Sequence, residues 1–181
     1  MTITRRAALA AAPLLLPLLA GADPAPAEIA AELPGARLQG RGQMRWFGLN
    51  IYEARLWAAA PVIPSAWAAT PLALELQYAR TLAGRDIAER SLQEMRRQGP
   101  IADEQARRWL DQMGTLFPDV RDGDRLTGLK RPGETARFFA NGRPIGEVRD
   151  GEFARMFFGI WLSPQTSQPG LRSALLGRQA G

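Results

Sequence analysis

Hydrophobic and polar residues alternate in several short segments of this chain, and such alternation is typical of β-strands with one buried face. The clearest case is 72–80, where one face carries Leu72, Leu74, Leu76, Tyr78 and Arg80. Residues 36–58 place turn glycines between aromatic and aliphatic stretches, which predicts consecutive strands. Residues 124–148 return to strands, and Asn141-Gly142 predicts a tight hairpin turn among them.

Helical spacing replaces alternation in the other segments. Apolar residues recur at three- and four-residue intervals in 86–98 and again in 103–117, with Gly99-Pro100 between the two helices. A third helix fits 152–162 and a short one fits 171–176. The order of strands, helices, strands and helices predicts an α+β fold with an antiparallel sheet covered by helices on one face.

The first part of the chain, 1–27, reads as an export signal. Arg5-Arg6 precedes an apolar stretch, 7–20, that is too short and too interrupted by proline to cross a bilayer, which takes about 20 helical residues. Small residues allow cleavage after Ala22 or Ala27. Both the twin-arginine and the Sec route fit the arginine pair. We therefore expect a periplasmic protein without a stable membrane span.

Composition excludes several kinds of chemistry for the remaining domain, 28–181. The 181-residue chain has no cysteine and no histidine, which rules out disulfides, Cys/His zinc sites, thiol nucleophiles and Ser-His-Asp triads. Its formal charge is +5, but its arginines are spread along the chain among 18 acidic residues, so we expect no nucleic-acid partner. Acids at 119, 122 and 124 are interrupted by arginines, so we expect no metal site, and no cofactor is indicated.

The order of short motifs over 35–177 resembles the bacterial exported chalcone isomerase-like family. The motifs are Phe47-Gly48-Leu49, Tyr52-Glu53-Ala54-Arg55-Leu56-Trp57, Glu94-Met95, Phe117-Pro118-Asp119-Val120, Gly123-Asp124-Arg125-Leu126, Phe138-Phe139-Ala140-Asn141-Gly142, Phe157-Phe158-Gly159-Ile160-Trp161-Leu162, Thr166 and Leu175-Leu176-Gly177. The resemblance implies an open-faced β-sandwich, in which helices pack on one face of a curved antiparallel sheet and a cleft lies between them. The wider superfamily includes plant isomerases that close a chalcone to a flavanone and non-catalytic relatives that bind fatty acids.

The catalytic residues of the plant isomerases do not carry over. When Leu38-Gln39-Gly40 is aligned with the family's Leu/Ile-Gln-Gly strand, Pro34 stands where the catalytic arginine is expected. The threonine or tyrosine position falls near Phe47. Cyclisation needs a cation for the attacking phenolate and a hydrogen-bond donor for the enolate oxygen, and neither is present at these positions. The isomerase activity is therefore not carried over, and no catalytic residue is assigned.

Tyr78 and Arg80 form the first candidate ligand-binding pair, because residues i and i+2 of a strand point to the same side. An arginine and a phenol beside an apolar cleft can clamp a carboxylate. The alternative, which we favour, is that Arg80 reaches solvent at the strand edge or pairs with a helix acid. Arg55 and Tyr52 are further candidates on opposite faces of one strand, and for Arg55 we favour an ion pair with Glu53 or a neighbouring strand.

We expect primarily a binding protein that holds a small apolar or amphipathic ligand, such as a fatty acid, between sheet and helices. An intramolecular isomerase of chalcone isomerase type is one alternative, with Arg80 binding the anion and Tyr78 relaying a proton. A periplasmic structural or protein-interaction module is the other. The sequence does not name a protein partner.

Overall fold

A six-stranded antiparallel meander forms the centre of the fold in a computed structural model that describes residues 23–131 and 135–177. Each strand pairs with the next one along the chain. The strands are β1 (Arg37–Trp46), β2 (Leu49–Ala58), β3 (Leu72–Tyr78), β4 (Arg125–Arg131), β5 (Thr135–Ala140) and β6 (Arg143–Val148). The α-helices are α1 (Ala27–Glu32), α2 (Gly84–Met95), α3 (Asp103–Leu116), α4 (Gly151–Leu162) and α5 (Pro169–Leu175).

Two tight turns set the register at the two ends of the meander. Asn141-Gly142 joins β5 to β6 with φ values of 49° and 80°, which confirms the predicted hairpin. Phe47-Gly48 joins β1 to β2 with nearly the same geometry, φ values of 46° and 78°. Both dipeptides lie in the left-handed region that two-residue hairpin turns require, because this turn matches the twist of the paired strands.

The inner face of the sheet, which we define as the face bearing Leu56, Leu74 and Phe138, is covered by helices α2 to α5. These side chains share one apolar cluster with Met95, Phe153 and the other buried residues of the helices. Helix α5 crosses β1 closely at Gly40, where a Cβ would lie 2.1 Å from the Ala174 carbonyl oxygen. The predicted α+β architecture, an antiparallel sheet with helices packed on it, is confirmed.

Helix α1, which the sequence pattern did not predict, lies on the opposite or outer face. Its Ile29 is fully buried in a second small cluster with Trp57, Ala73, Leu129 and Phe139. Two glutamates of α1 anchor it further: Glu28 pairs with Arg125 at 2.8 Å, and Glu32 pairs with Arg137 at 2.6 Å. Part of the outer face is therefore covered as well.

The predicted signal falls mostly on residues 1–22, which lie outside the described residues, so the export signal stays a prediction. Within the described part of the chain, no helix has the length and the apolar character needed to cross a bilayer.

Lys130, the one lysine of the chain, holds the loop between β2 and β3 against the sheet. Its Nζ donates hydrogen bonds to the carbonyl oxygens of Ala68 at 2.6 Å and Thr70 at 3.2 Å. The residue is buried, and this desolvation lowers the pKa of Lys130 to about 8.

This lysine predicts a pH dependence of stability. The folded protein releases the Lys130 proton near pH 8, whereas the unfolded chain holds it up to about 10.5. At Lys130 the unfolded state therefore binds more protons between these values, so the free energy of unfolding should rise with pH from about 8 to about 9, below the range in which tyrosines of the unfolded chain ionise. Urea unfolding measured across this range should show the rise in the wild type and lose it in Lys130→Met. Identical pH profiles for the two proteins would contradict the prediction.

Candidate functional site

An apolar pocket of about 310 Å³ lies between the inner face of the sheet and helices α2 and α4. Leu74, Leu76 and Leu126 line it from the strands, while Ile87 and Ile160 line it from the helices. Side chains alternate along a strand, so residues two positions apart, such as Leu74 and Leu76 of β3, face this space together. The volume falls within the range of small-molecule pockets, about 300 to 1,000 Å³.

Two phenols stand next to each other on the sheet wall of the pocket. Tyr52 and Tyr78 are directly opposed in the β2–β3 register, and their rings meet edge to face with centroids 5.8 Å apart. The Trp161 Nε1 of α4 donates a hydrogen bond to the Tyr52 hydroxyl at 3.0 Å. This contact ties α4 to β2 and leaves the proton of the Tyr52 hydroxyl for a further acceptor.

Both tyrosines are held in the neutral form. Burial raises the pKa of Tyr52 to about 12, and this effect outweighs the hydrogen bond from Trp161, which lowers it. Burial also raises the pKa of Tyr78, and proximity to Tyr52 adds to the shift. Near neutral pH the two tyrosines therefore present neutral hydroxyl groups, which can donate hydrogen bonds to a ligand or accept them from it. Neither tyrosine supplies a phenolate.

A charged pair on α2 forms one polar part of the wall, to which Asp86, Ser91, Ser167 and Gln168 also contribute. Arg90 Nη2 lies 2.6 Å from Glu94 Oε1, and the Arg90 guanidinium carbon lies 5.1 Å from the centroid of the Trp46 ring. Glu94 is 7% exposed, and its second oxygen, Oε2, is buried without a hydrogen bond in the described structure, 3.7 Å from Arg97 Nε. The lining of the pocket is thus mostly apolar, and the arginine in it, Arg90, is already paired with the Glu94 carboxylate.

The structure brings two of the four predicted site residues to the pocket. Tyr52 and Tyr78 line it, but Arg80 does not. Strand β3 ends at Tyr78, and Ala79 and Arg80 lie in an exposed bend. The expectation that Arg80 shares the face of Tyr78 is wrong, because strand alternation no longer applies beyond the end of the strand. Arg80 is exposed just beyond the end of the strand, as in the alternative favoured from the sequence, and it does not join Tyr78 at the pocket.

Arg55 belongs to an ionic network on the outer face. Its Nε lies 2.6 Å from Glu53 Oε1 and its Nη1 lies 3.7 Å from Glu75 Oε1, which confirms the ion pair favoured from the sequence. Glu75 is buried, accepts a hydrogen bond from Trp57 Nε1 at 2.9 Å and lies 3.4 Å from Arg125 Nε. As a ligand-binding candidate Arg55 is therefore on the wrong side of the sheet.

Sequence reasoning missed Arg90 and Glu94. The apolar spacing over 86–98 predicts the helix but no role for its charged residues, and Glu94 appears only in a family motif. The available signal was the spacing: Arg90 and Glu94 are four residues apart, so they share a helix face, and Ser91 and Met95, one position after each, lie on the buried side. A charged i, i+4 pair next to the apolar stripe of a helix therefore indicates polar residues that can lie at the edge of a ligand pocket.

Comparisons with known proteins agree with the fold. A family model described as chalcone isomerase-like matches residues 26–177. An uncharacterized protein of Haemophilus influenzae is 25% identical over 139 residues, which are 77% of this chain and 67% of that protein. The crystal structure of a fatty-acid binding protein from Arabidopsis thaliana superposes with a TM-score of 0.62 at 15% identity, over 80% of this chain and 88% of that one. At this identity the superposition shows a shared fold.

The two buried phenols give a direct spectroscopic prediction, because the chain has only two tyrosines. At about pH 10.5, where unfolded tyrosines are mostly ionised, the folded protein should show little tyrosinate absorbance. Tyrosinate absorbance should appear only as the pH approaches 12, and Tyr52→Phe should remove the contribution of Tyr52 to it. The same titration in concentrated urea provides the unfolded reference. Equal absorbance in the folded and unfolded samples would contradict the burial of these hydroxyls.

Proposed function

The chain belongs to the chalcone isomerase-like family, and we propose that it serves there as a binding protein for a small apolar or amphipathic ligand with a chain like that of a fatty acid. The observation that carries this proposal is the pocket between sheet and helices, whose wall is apolar except at a few convergent polar groups. The fatty-acid binding protein of the same fold supports the choice of ligand class.

The apolar tail is proposed to lie against the inner face of β3 and β4. Leu74, Leu76 and Leu126 form that wall, and Phe157 and Ile160 face it from α4. Transfer of each methylene from water into such a space contributes about 0.8 kcal/mol, so a chain of several methylenes suffices for binding.

The polar head of the ligand is proposed to lie beside Tyr52, Arg90 and Glu94. The Tyr52 hydroxyl has a proton to donate, and Arg90 offers further guanidinium donors. A carboxylate head competes with Glu94 for Arg90, whereas a hydroxyl head can donate to the Glu94 carboxylate. The Arg90–Glu94 pair therefore tunes the preference for the head group.

We also propose that the protein is exported to the periplasm, with cleavage after Ala22. Contacts of the next residues support this position over Ala27. The Pro26 carbonyl oxygen accepts the first hydrogen bond of α1, from the Ala30 N–H at 2.9 Å, and Ala25 packs against the outer cluster. Cleavage after Ala27 removes both contacts. Sequencing the N-terminus of periplasmic protein tests the position.

The central test of ligand binding uses two variants of Ser91. This buried residue lines the pocket, and its hydroxyl bonds only to the Ile87 carbonyl oxygen of its own helix at 2.7 Å in the described structure. Ser91→Phe places a ring in the pocket and should lower the affinity for dodecanoate at least tenfold, because each excluded methylene costs about 0.8 kcal/mol. Ser91→Ala keeps the space and should bind like the wild type. Native mass spectrometry of detergent-free protein and calorimetric titration measure both. Wild-type protein that binds neither dodecanoate nor dodecanol would refute the proposed function.

A second prediction concerns the head group. Glu94→Gln removes the negative charge that competes for Arg90, so dodecanoate should bind several-fold more tightly, while dodecanol should not gain affinity. Glu89→Gln is the matched control, since Glu89 lies on the same helix at the surface and pairs with Arg85 at 3.7 Å. Calorimetric titration at neutral pH compares the ligands. An equal gain for both ligands in Glu94→Gln would show that the charge of Glu94 does not act on the head group.

A further inference from the structure

The tip of the β1–β2 hairpin exposes three large apolar side chains. Phe47 is 89% exposed, Leu49 is 50% exposed and Trp46 is 47% exposed. We call these three residues the hairpin tip. Phe47 and Trp46 contact each other edge to face with ring centroids 5.1 Å apart. Contiguous apolar side chains of this size at a turn mark a surface that contacts something outside the fold.

Phe47 stands at a position that disfavours it. Its φ of 46° is in the left-handed region, where a Cβ crowds the following carbonyl oxygen, and a bulky residue rarely adopts this conformation. The chain contains its own comparison, because Asn141 takes the same place in the β5–β6 turn with φ 49°. Asparagine is the ordinary residue there. Phe47 thus adopts a backbone conformation that is unfavourable for phenylalanine, and its side chain gains almost no burial within the fold. This combination indicates that the ring contacts another surface.

The hairpin tip adjoins the pocket. The Trp46 side chain lines the pocket on one side and contacts Phe47 on the other. The guanidinium group of Arg90, a polar residue of the pocket wall, lies over the Trp46 ring at 5.1 Å. Any partner surface that binds the hairpin tip therefore also lies next to the pocket.

Positive charge accompanies the exposed rings. Arg45 immediately precedes the tip and is exposed, and its hydrogen-bond partners, Asn50 Oδ1 at 3.0 Å and Gln43 Oε1 at 2.9 Å, are uncharged. Without residues 1–22, which hold Arg5 and Arg6 and no acidic residue, the chain keeps a formal charge of +3. Aromatic side chains beside arginine fit the interface of an anionic bilayer, where rings lie at headgroup depth and cations pair with lipid phosphates.

We propose that the hairpin tip is a membrane-docking element that inserts Trp46, Phe47 and Leu49 into the interface of an anionic lipid bilayer. Docking in this orientation places the pocket beside the bilayer, so an amphipathic ligand passes between lipid and pocket with little exposure of its chain to water. The ligand transfer rests on the proposed function, whereas the docking itself does not.

The decisive variant is Phe47→Asn, which gives this turn the residue of the β5–β6 turn. The variant should fold at least as stably as the wild type in urea, because asparagine tolerates the left-handed conformation. Its partition onto vesicles of phosphatidylethanolamine and phosphatidylglycerol should fall about tenfold or more, because a phenylalanine side chain no longer leaves water. Ile63→Asn is the matched control: Ile63 is 60% exposed but follows the opposite end of β2, so vesicle binding should not change.

Intrinsic fluorescence reports the same event. Of the five tryptophans, Trp57, Trp67, Trp109 and Trp161 are buried, while Trp46 is half-exposed. Vesicles should therefore shift the emission to shorter wavelength in the wild type and in Ile63→Asn, and Trp46→Phe should lose the shift. Pure phosphatidylcholine vesicles, or high salt, should weaken binding, since the electrostatic attraction of Arg45 is then lost or screened.

Two outcomes of the vesicle experiments would overturn the docking proposal: no binding of the wild type to anionic vesicles, or equal binding of Phe47→Asn. A dimer that depends on Phe47 and forms without lipid would also overturn it, because the hairpin tip would then be a contact between two copies of the chain. Ser91→Phe separates this proposal from the binding function. It should dock on vesicles like the wild type while failing to hold dodecanoate, so failure of docking and failure of ligand binding are read in different measurements.

Discussion

The strict alternation of side chains along β2, β3 and β4 is the constraint on which the rest of the molecule depends. On the inner face these strands carry Tyr52, Leu76 and Leu126, which build the pocket wall. On the outer face the same strands carry Arg55, Glu75 and Arg125, and the buried Glu75 carboxylate lies 3.7 Å from Arg55 Nη1 and 3.4 Å from Arg125 Nε. One backbone therefore separates an apolar space from an ionic network by the thickness of a single sheet, and a shift of register by one residue would exchange the two.

Most of the fold follows from the sequence because its signals are local. Period-two patterns, the Asn141-Gly142 turn and the periodic helices were enough to predict the order of the elements. Helix α1 was not predicted because it is only six residues long. It is stabilised by tertiary contacts, namely the burial of Ile29 against Trp57 and the pairing of Glu28 with Arg125. A short helix of this kind has no stability of its own, so its local pattern carries little information.

The site was only half predictable for a similar reason. Alternation within β3 places Tyr78 on the face of Leu74 and Leu76. For β2 it separates Tyr52 from Arg55 but does not state which of the two faces the pocket, so both were candidates. Arg80 was placed on the face of Tyr78 because the pattern does not state where a strand ends. In the structure β3 ends at Tyr78, two residues before Arg80. Arg90 and Glu94 escaped because a charged pair on a helix usually faces solvent, and only the packing of α2 over the sheet turns Glu94 inward.

The attachment of α1 also has a consequence for the order in which the structure forms and opens. Its Glu28 reaches Arg125 across 97 residues of sequence, and Glu32 reaches Arg137 across 105 residues. By contrast, β1–β2, β4–β5 and β5–β6 pair over short connections, and the longest connection in the sheet, residues 79–124 between β3 and β4, contains α2 and α3. The sheet can therefore assemble together with α2 and α3 before α1 docks, and α1 can detach while the sheet stays paired. The N-terminal helix is thus a separate, weaker cooperative unit laid over a finished sheet.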